Sequence, residues 1–206
     1  MIPKVLHQIW LGCHIPPAIS TRMDGIRRSN SDFKYILHND PSEFETDPYI
    51  RWAVDSKEKI AFIVDRIRLL CLQRDGGVYV DSDCLSCRPF SSLDVWQDAK
   101  ADFLFGMRSP DRFGVALKGG ISLVDNTVLA SAKNGRMVSR LLELYHPNSK
   151  HQNGGSTGLQ ILRHMDVDTR VVNFRYFYAE QRCPEAIVLH DSINLGSWVK
   201  NPAKAI

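Results

Sequence analysis

The stretch GVYVDSDCL, residues 77–85, sets two carboxylates, Asp81 and Asp83, one residue apart straight after an apolar, β-rich run. In an extended segment side chains at i and i+2 point the same way, so the pair is expected to project together from the carboxyl end of a buried strand. Two close carboxylates raise each other's pKa and favour sharing a proton, whereas a divalent cation removes the repulsion and keeps both ionised. Ligation by oxygen alone selects Mg²⁺ or Mn²⁺ over zinc. A hard cation held by one or two carboxylates keeps positions for water and substrate phosphates. The competing reading of an Asp-x-Asp tripeptide is a surface turn with solvated carboxylates.

The segment before the acidic pair narrows the choice. From Ser56 to Arg74 the apolar residues Ile60, Ile63, Val64, Ile67 and Cys71 recur at helical spacing, with Phe62 and Leu69 on another side, which predicts a helix buried on two flanks. Asp65 and Arg68 lie three apart on one stripe of that helix. They form either an intrahelical ion pair or a ligand set, a carboxylate for sugar hydroxyls and a guanidinium for a diphosphate. Gly76-Gly77 ends the helix and turns the chain into the strand VYV.

The flanking elements read as one alternating series. KVLHQIWLG and DFKYILHND are predicted strands, with a helix beginning at Pro16-Pro17 between them. Further on, DFLFGM and GISLVDN read as strands, GRMVSRLLELYH and STGLQILRHM as helices, and VVNFRYF and AIVLH as strands. Strands alternating with helices indicate an α/β protein, and in open α/β sheets ligands bind outside the carboxyl ends of the strands.

Bulk properties exclude other classes. The 206 residues are enough for one core, so a single domain over 1–206 is expected, and its abrupt end after WVKNPAKAI is compatible with a piece cut from a longer chain. A net charge of +3 suits an anionic small ligand, and no Lys/Arg stripe marks a nucleic-acid binder. Without a signal peptide or a membrane-length apolar run, the expectation is a soluble, cytoplasmic protein. Five scattered cysteines, Cys13, Cys71, Cys84, Cys87 and Cys183, favour reduced thiols over a disulfide framework. Cys84 and Cys87 form one CxxC, which lacks the second Cys/His pair of a structural zinc site.

IPKVLHQIWLG at 2–12, DRIRLLCLQRDGGVYVDSD at 65–83 and GSW at 196–198 resemble the DxD-containing glycosyltransferases of the GT-A fold. The likeness is to the family 32 sugar transferases and to the glucosyltransferase domains of large clostridial toxins. A compact, anchorless form is also similar to transferases encoded by large DNA viruses, which adds a virus-infected host cell as a setting. The resemblance implies a GT-A-like domain with a Rossmann-like, mostly parallel central sheet flanked by helices. It implies a metal-dependent transferase that moves a hexose, UDP-glucose being the preferred donor, from a nucleoside diphosphate sugar to a hydroxyl acceptor. That acceptor would be a polysaccharide or glycoprotein glycan, and the anomeric configuration would be retained; no carboxylate is marked by its spacing as a general base.

Site roles follow from the same resemblance. Trp10 would lie against the nucleotide base with Gln8 and Ile9 beside it; its other reading is a core residue of the first strand. Asp65 would contact donor-sugar hydroxyls and Arg68 the diphosphate or the sugar. Asp83 would bind Mn²⁺ or Mg²⁺ directly, and Asp81 would touch ribose or the metal through water. His190, with Ser197 and Trp198, matches the late motif approximately, as a further metal contact or a structural strand-end residue. Asn126 and the Gly-Gly-Ser-Thr-Gly run at 154–158 fall where the family lines its cleft. Two rivals use the same residues: a non-catalytic sugar-nucleotide-binding module, and a haloacid-dehalogenase-like phosphohydrolase in which Asp81 would be the nucleophile.

Overall fold

The computed structural model describes residues 1–12, 14–107, 124–145, 161, 164–172, 177 and 186–190. Ser197, Trp198, the 154–158 glycine run, Cys13 and Cys183 lie outside these residues, as do most of the predicted helix STGLQILRHM and the start of the predicted strand GISLVDN.

The first half alternates as its sequence dictates: β1 (Val5–Ile9), α1 (Pro17–Ser29), β2 (Lys34–His38), α2 (Pro48–Asp55), α3 (Ile60–Asp75), β3 (Gly77–Val80) and β4 (Cys84–Ser86). It continues with β5 (Phe103–Met107), β6 (Val124–Ser131), α4 (Arg136–Leu144), β7 (Thr169–Val172) and β8 (Val188–His190). Six strands form one sheet in the order β2-β1-β3-β6-β5-β7, and β4 and β8 form a second, two-stranded sheet. In the larger sheet β6 runs antiparallel to β3 and β5, and the other pairings are parallel. The mostly parallel α/β expectation holds.

Alternation along β3 explains its all-apolar sequence. Val78 and Val80 join a core with Leu6, Ile26 of α1, Phe90 and Val128, while Tyr79 joins the opposite core with Leu129, Phe105 and residues of α2, α3 and α4. A strand buried on both faces cannot carry a solvated side. The Gly76-Gly77 junction needs glycine twice over, since both have positive φ, 67° and 100°, and a Cβ on Gly77 would run into the carbonyl of Val5.

Three elements differ from the sequence reading. The predicted helix from Ser56 begins at Ile60, and α2 precedes it, capped by Asp47, whose carboxylate accepts from the backbone N–H of Tyr49 and Ile50. The strand read around 120–126 runs on to Ser131, where Gly77 of β3 sets its register. The strand read from Val171 begins at Thr169, and Phe177 is helical.

Candidate functional site

The Asp-Ser-Asp motif departs from extended geometry. β3 stops at Val80, and residues 81–83 form a turn closed by the Cys84 N–H donating to the Asp81 carbonyl at 3.2 Å. Strand alternation therefore does not aim the two carboxylates together; the turn does. Three further contacts fix it. Asp81 N–H donates to Thr127 O at 2.9 Å, the buried Ser82 hydroxyl donates to Ile9 O at 2.8 Å, and Arg22 Nη1 of α1 donates to the Asp83 carbonyl at 2.6 Å.

This turn feeds β4, whose register against β8 places Cys84 opposite His190. His190 Nε2 consequently lies 3.5 Å from Asp83 Oδ2, and its Nδ1 lies 3.5 Å from the Thr127 hydroxyl. Asp81, Asp83 and His190 each offer one ligand atom, all within 4.8 Å of one another, and all three residues are half-buried. Two carboxylates and one imidazole on the rim of a core fit a divalent cation, because the carboxylates repel each other and the imidazole adds a nitrogen ligand.

α3 supplies the basic counterpart. Arg68 Nη2 pairs with Asp65 Oδ1 at 3.0 Å, as their i, i+3 spacing predicts, and Nη1 lies 3.5 Å from Asp81 Oδ1 and donates to the Asn126 carbonyl. Its guanidinium sits over the Tyr79 ring, 4.5 Å from the centroid. Asn126 Nδ2 completes the set by donating to Asp65 Oδ1 at 2.7 Å. Asp65, Arg68 and Asn126 are all buried, so the intrahelical ion pair of Asp65 and Arg68 is present and lies out of solvent. Arg68 Nε is buried and bonded to no atom of the described residues.

Burial works against the Arg68 charge, but Tyr79, Asp81 and Asp65 outweigh it and hold the guanidinium above its ordinary pKa. Burial pushes the Asp81 carboxyl above the usual carboxylate range; Arg68 and the Tyr79 hydroxyl, which donates at 2.6 Å, pull it down, and Asp83 adds to the rise.

On β1, Gln8 Oε1 accepts from the Tyr35 hydroxyl at 3.1 Å, while its fully buried Nε2 meets no acceptor among the described residues. Ile9 is a core residue whose carbonyl holds Ser82. Trp10 belongs to neither core cluster; its half-buried indole N–H donates to His14 O at 3.1 Å. The core reading of Trp10 falls away. Arg22, Tyr79 and Thr127 were not singled out in the sequence. Only Tyr79 carried a signal, lying two residues before Asp81 on the same strand.

A second group, His7, His38 and Cys71, also brings ligand atoms within 4.8 Å and is fully buried. It is a hydrogen-bonded row. His7 Nδ1 and His38 Nε2 meet edge to edge at 3.0 Å, and their outer nitrogens bond Gly76 O at 2.9 Å and Glu43 Oε2 at 3.1 Å. Every ring nitrogen is thus already engaged. Cys71, Cys84 and Cys87 form no disulfide.

Comparison with known proteins agrees with this geometry. Residues 16–101 match the family model described as a glycosyltransferase sugar-binding region containing the DXD motif, a span that holds Asp65, Arg68, Asp81 and Asp83. Two solved structures share the fold. The PaToxG glycosyltransferase has a TM-score of 0.57 at 18% identity, over 80% of this chain and 70% of its own. A glycosyltransferase involved in the glycosylation of the major capsid of PBCV-1 has a TM-score of 0.57 at 12% identity, over 92% of this chain and 93% of its own. No curated protein matches the sequence. The fold is thus that of these two glycosyltransferases, and the matched segment resembles a DXD sugar-binding region, with Asp81-Ser82-Asp83 inside it. Among the described residues no helix is long and apolar enough to cross a membrane.

Proposed function

We propose that the protein is a metal-dependent hexosyltransferase that takes a nucleoside diphosphate sugar, UDP-glucose by preference, and transfers the sugar with retention to a hydroxyl of a glycan. The observation that carries this reading is the meeting of Asp81, Asp83 and His190 within 4.8 Å beside the Asp65–Arg68–Asn126 cluster, with Asp65, Arg68, Asp81 and Asp83 in the segment matched as a DXD sugar-binding region.

Asp83, Asp81 and His190 would hold Mn²⁺ or Mg²⁺. When bound, the ion supplies positive charge to a diphosphate leaving group and a template for its oxygens. Arg68 adds a second positive charge beside Asp81, and its buried Nε–H is a donor a substrate oxygen can take up. Asp65, oriented by Asn126 and Arg68, is placed to accept from sugar hydroxyls. Trp10 offers an aromatic face outside the core for the base, with the Gln8 amide beside it.

The test is a thermal-shift screen of UDP- and GDP-sugars with and without Mn²⁺, followed by donor hydrolysis by the wild-type protein and Asp83→Ala. A donor at a hundred times its dissociation constant raises stability by about 2.7 kcal/mol. Metal-dependent shifts and slow hydrolysis, both lost in Asp83→Ala while the fold persists, support the transferase. Binding without hydrolysis points to a sugar-nucleotide-binding module. Cleavage of simple phosphate esters, or turnover unchanged in Asp83→Ala, overturns the reading.

A further inference from the structure

Among the described residues that hold the Asp-Ser-Asp turn, Arg22 is the cation that donates to one of its backbone carbonyls. The other backbone anchors of the turn described above are a hydroxyl and two peptide N–H groups, all neutral. Arg22 reaches from the middle of α1, on the face of the sheet opposite α3, and donates to the Asp83 carbonyl 61 residues away. A hydrogen bond with a charged donor is roughly twice as strong as a neutral one.

Its placement has two consequences. The bond holds the peptide after Asp83, and with it the backbone from which the Asp83 side chain departs and β4 begins its pairing with β8. It also sets a cation on the backbone of the residue whose carboxylate lies 3.5 Å from His190 Nε2. Asp81 has Arg68 at 3.5 Å from α3; Asp83 has Arg22 behind its backbone from α1. The two like-charged carboxylates are thereby held close before any cation arrives, so less reorganisation is needed when one binds.

We infer that Arg22 is a positioning residue for the cation site: it presets the Asp83 carboxylate through the Asp83 carbonyl without itself touching ion or substrate. The inference rests on the transferase reading only in needing a cation at Asp81 and Asp83. Groups that orient metal ligands from outside the coordination shell typically change metal affinity about 10- to 100-fold when replaced.

The test measures Mn²⁺ affinity directly, by electron paramagnetic resonance of free Mn²⁺, on the full chain without donor. Arg22→Met removes donor and charge, Arg22→Gln keeps a donor, and Arg22→Lys keeps both in a different shape. The expected order of affinity is wild type, then Lys, then Gln, then Met, with Met about 10-fold or more weaker. Circular dichroism and melting temperature of each variant identify loss of fold, and Lys and Gln keep the question answerable should Met not fold. Folded variants that bind Mn²⁺ as tightly as wild type overturn the inference while leaving the transferase reading intact. A wild-type chain that binds no Mn²⁺ overturns both.

Discussion

Two arginines two residues apart on α3 do opposite things. Every guanidinium nitrogen of Arg66 has a partner: Nε and Nη2 bond the Asp47 carboxylate at 3.2 and 2.8 Å, and Nη1 donates to Leu142 O at 2.7 Å. It joins the cap of α2 to the end of α4. Arg68 shares its cluster with Asp65, Asn126 and Asp81, yet keeps a buried Nε–H with no acceptor among the described residues. A fold that partners every nitrogen of one guanidinium and leaves its neighbour short is using the first to hold elements together and the second to await a ligand. The difference comes from helix geometry, since residues two apart face different directions and meet different partners.

Replacing Arg66 by Met should break the structural half of that contrast. It strands the largely buried Asp47 carboxylate, which should cost about 3 kcal/mol in urea unfolding, with donor turnover by the folded fraction unchanged. Stability within error of wild type would show the Arg66 network to be idle. Arg68→Lys tests the other half: charge is kept and the planar fork lost, so kcat/KM for donor hydrolysis should fall about 100-fold with little change in melting temperature. If the two variants move the same quantity to the same extent, the contrast fails.

Smaller effects sharpen it. Asn126→Ala withdraws the amide that orients Asp65, so KM for the donor should rise with a stability loss of about 1 kcal/mol; an unchanged KM would take Asn126 out of the site. Acidity should act through Asp81. Burial raises its folded pKa, so the folded state binds more protons than the unfolded one and stability without a cation falls as pH rises through that window. A cation competes with that proton, so Mn²⁺ affinity should rise with pH there, by at most tenfold per unit, and then level off. Titration calorimetry across the acid range checks the slope, and an affinity that falls with rising pH contradicts the assignment.

Acid stability offers a separate check on the core. Burial lowers His7 to about 4. Between there and the unfolded value near 6.5 the unfolded chain binds more protons, so stability should rise with pH across that interval. A shallower profile in His7→Gln than in wild type would identify the residue, the remaining slope belonging to His38, which burial also lowers.

The legible parts of the molecule were those fixed by short-range rules. Period-2 and period-3.6 patterning gave β1, α1, β2, α3 and β3, and the Asp65–Arg68 pairing is a property of any helix. α2 went unread because its eight residues are too few for a clear period, although Asp47-Pro48 is a sound start signal. The two carboxylates of the DXD do converge, but through a turn, because the strand's alternation ends at Val80, three residues short of Asp83.

By itself the sequence determined which residue types could hold a cation and an activated sugar, and that a doubly buried strand must deliver the acidic pair to its end. Tertiary structure alone decided the company they keep. His190 arrives through the β4–β8 register, Asn126 through the β3–β6 pairing, and Arg22 through the packing of α1 beside β4. The reason is that pairing register and interface packing join residues about sixty or more apart, where no local periodicity reaches.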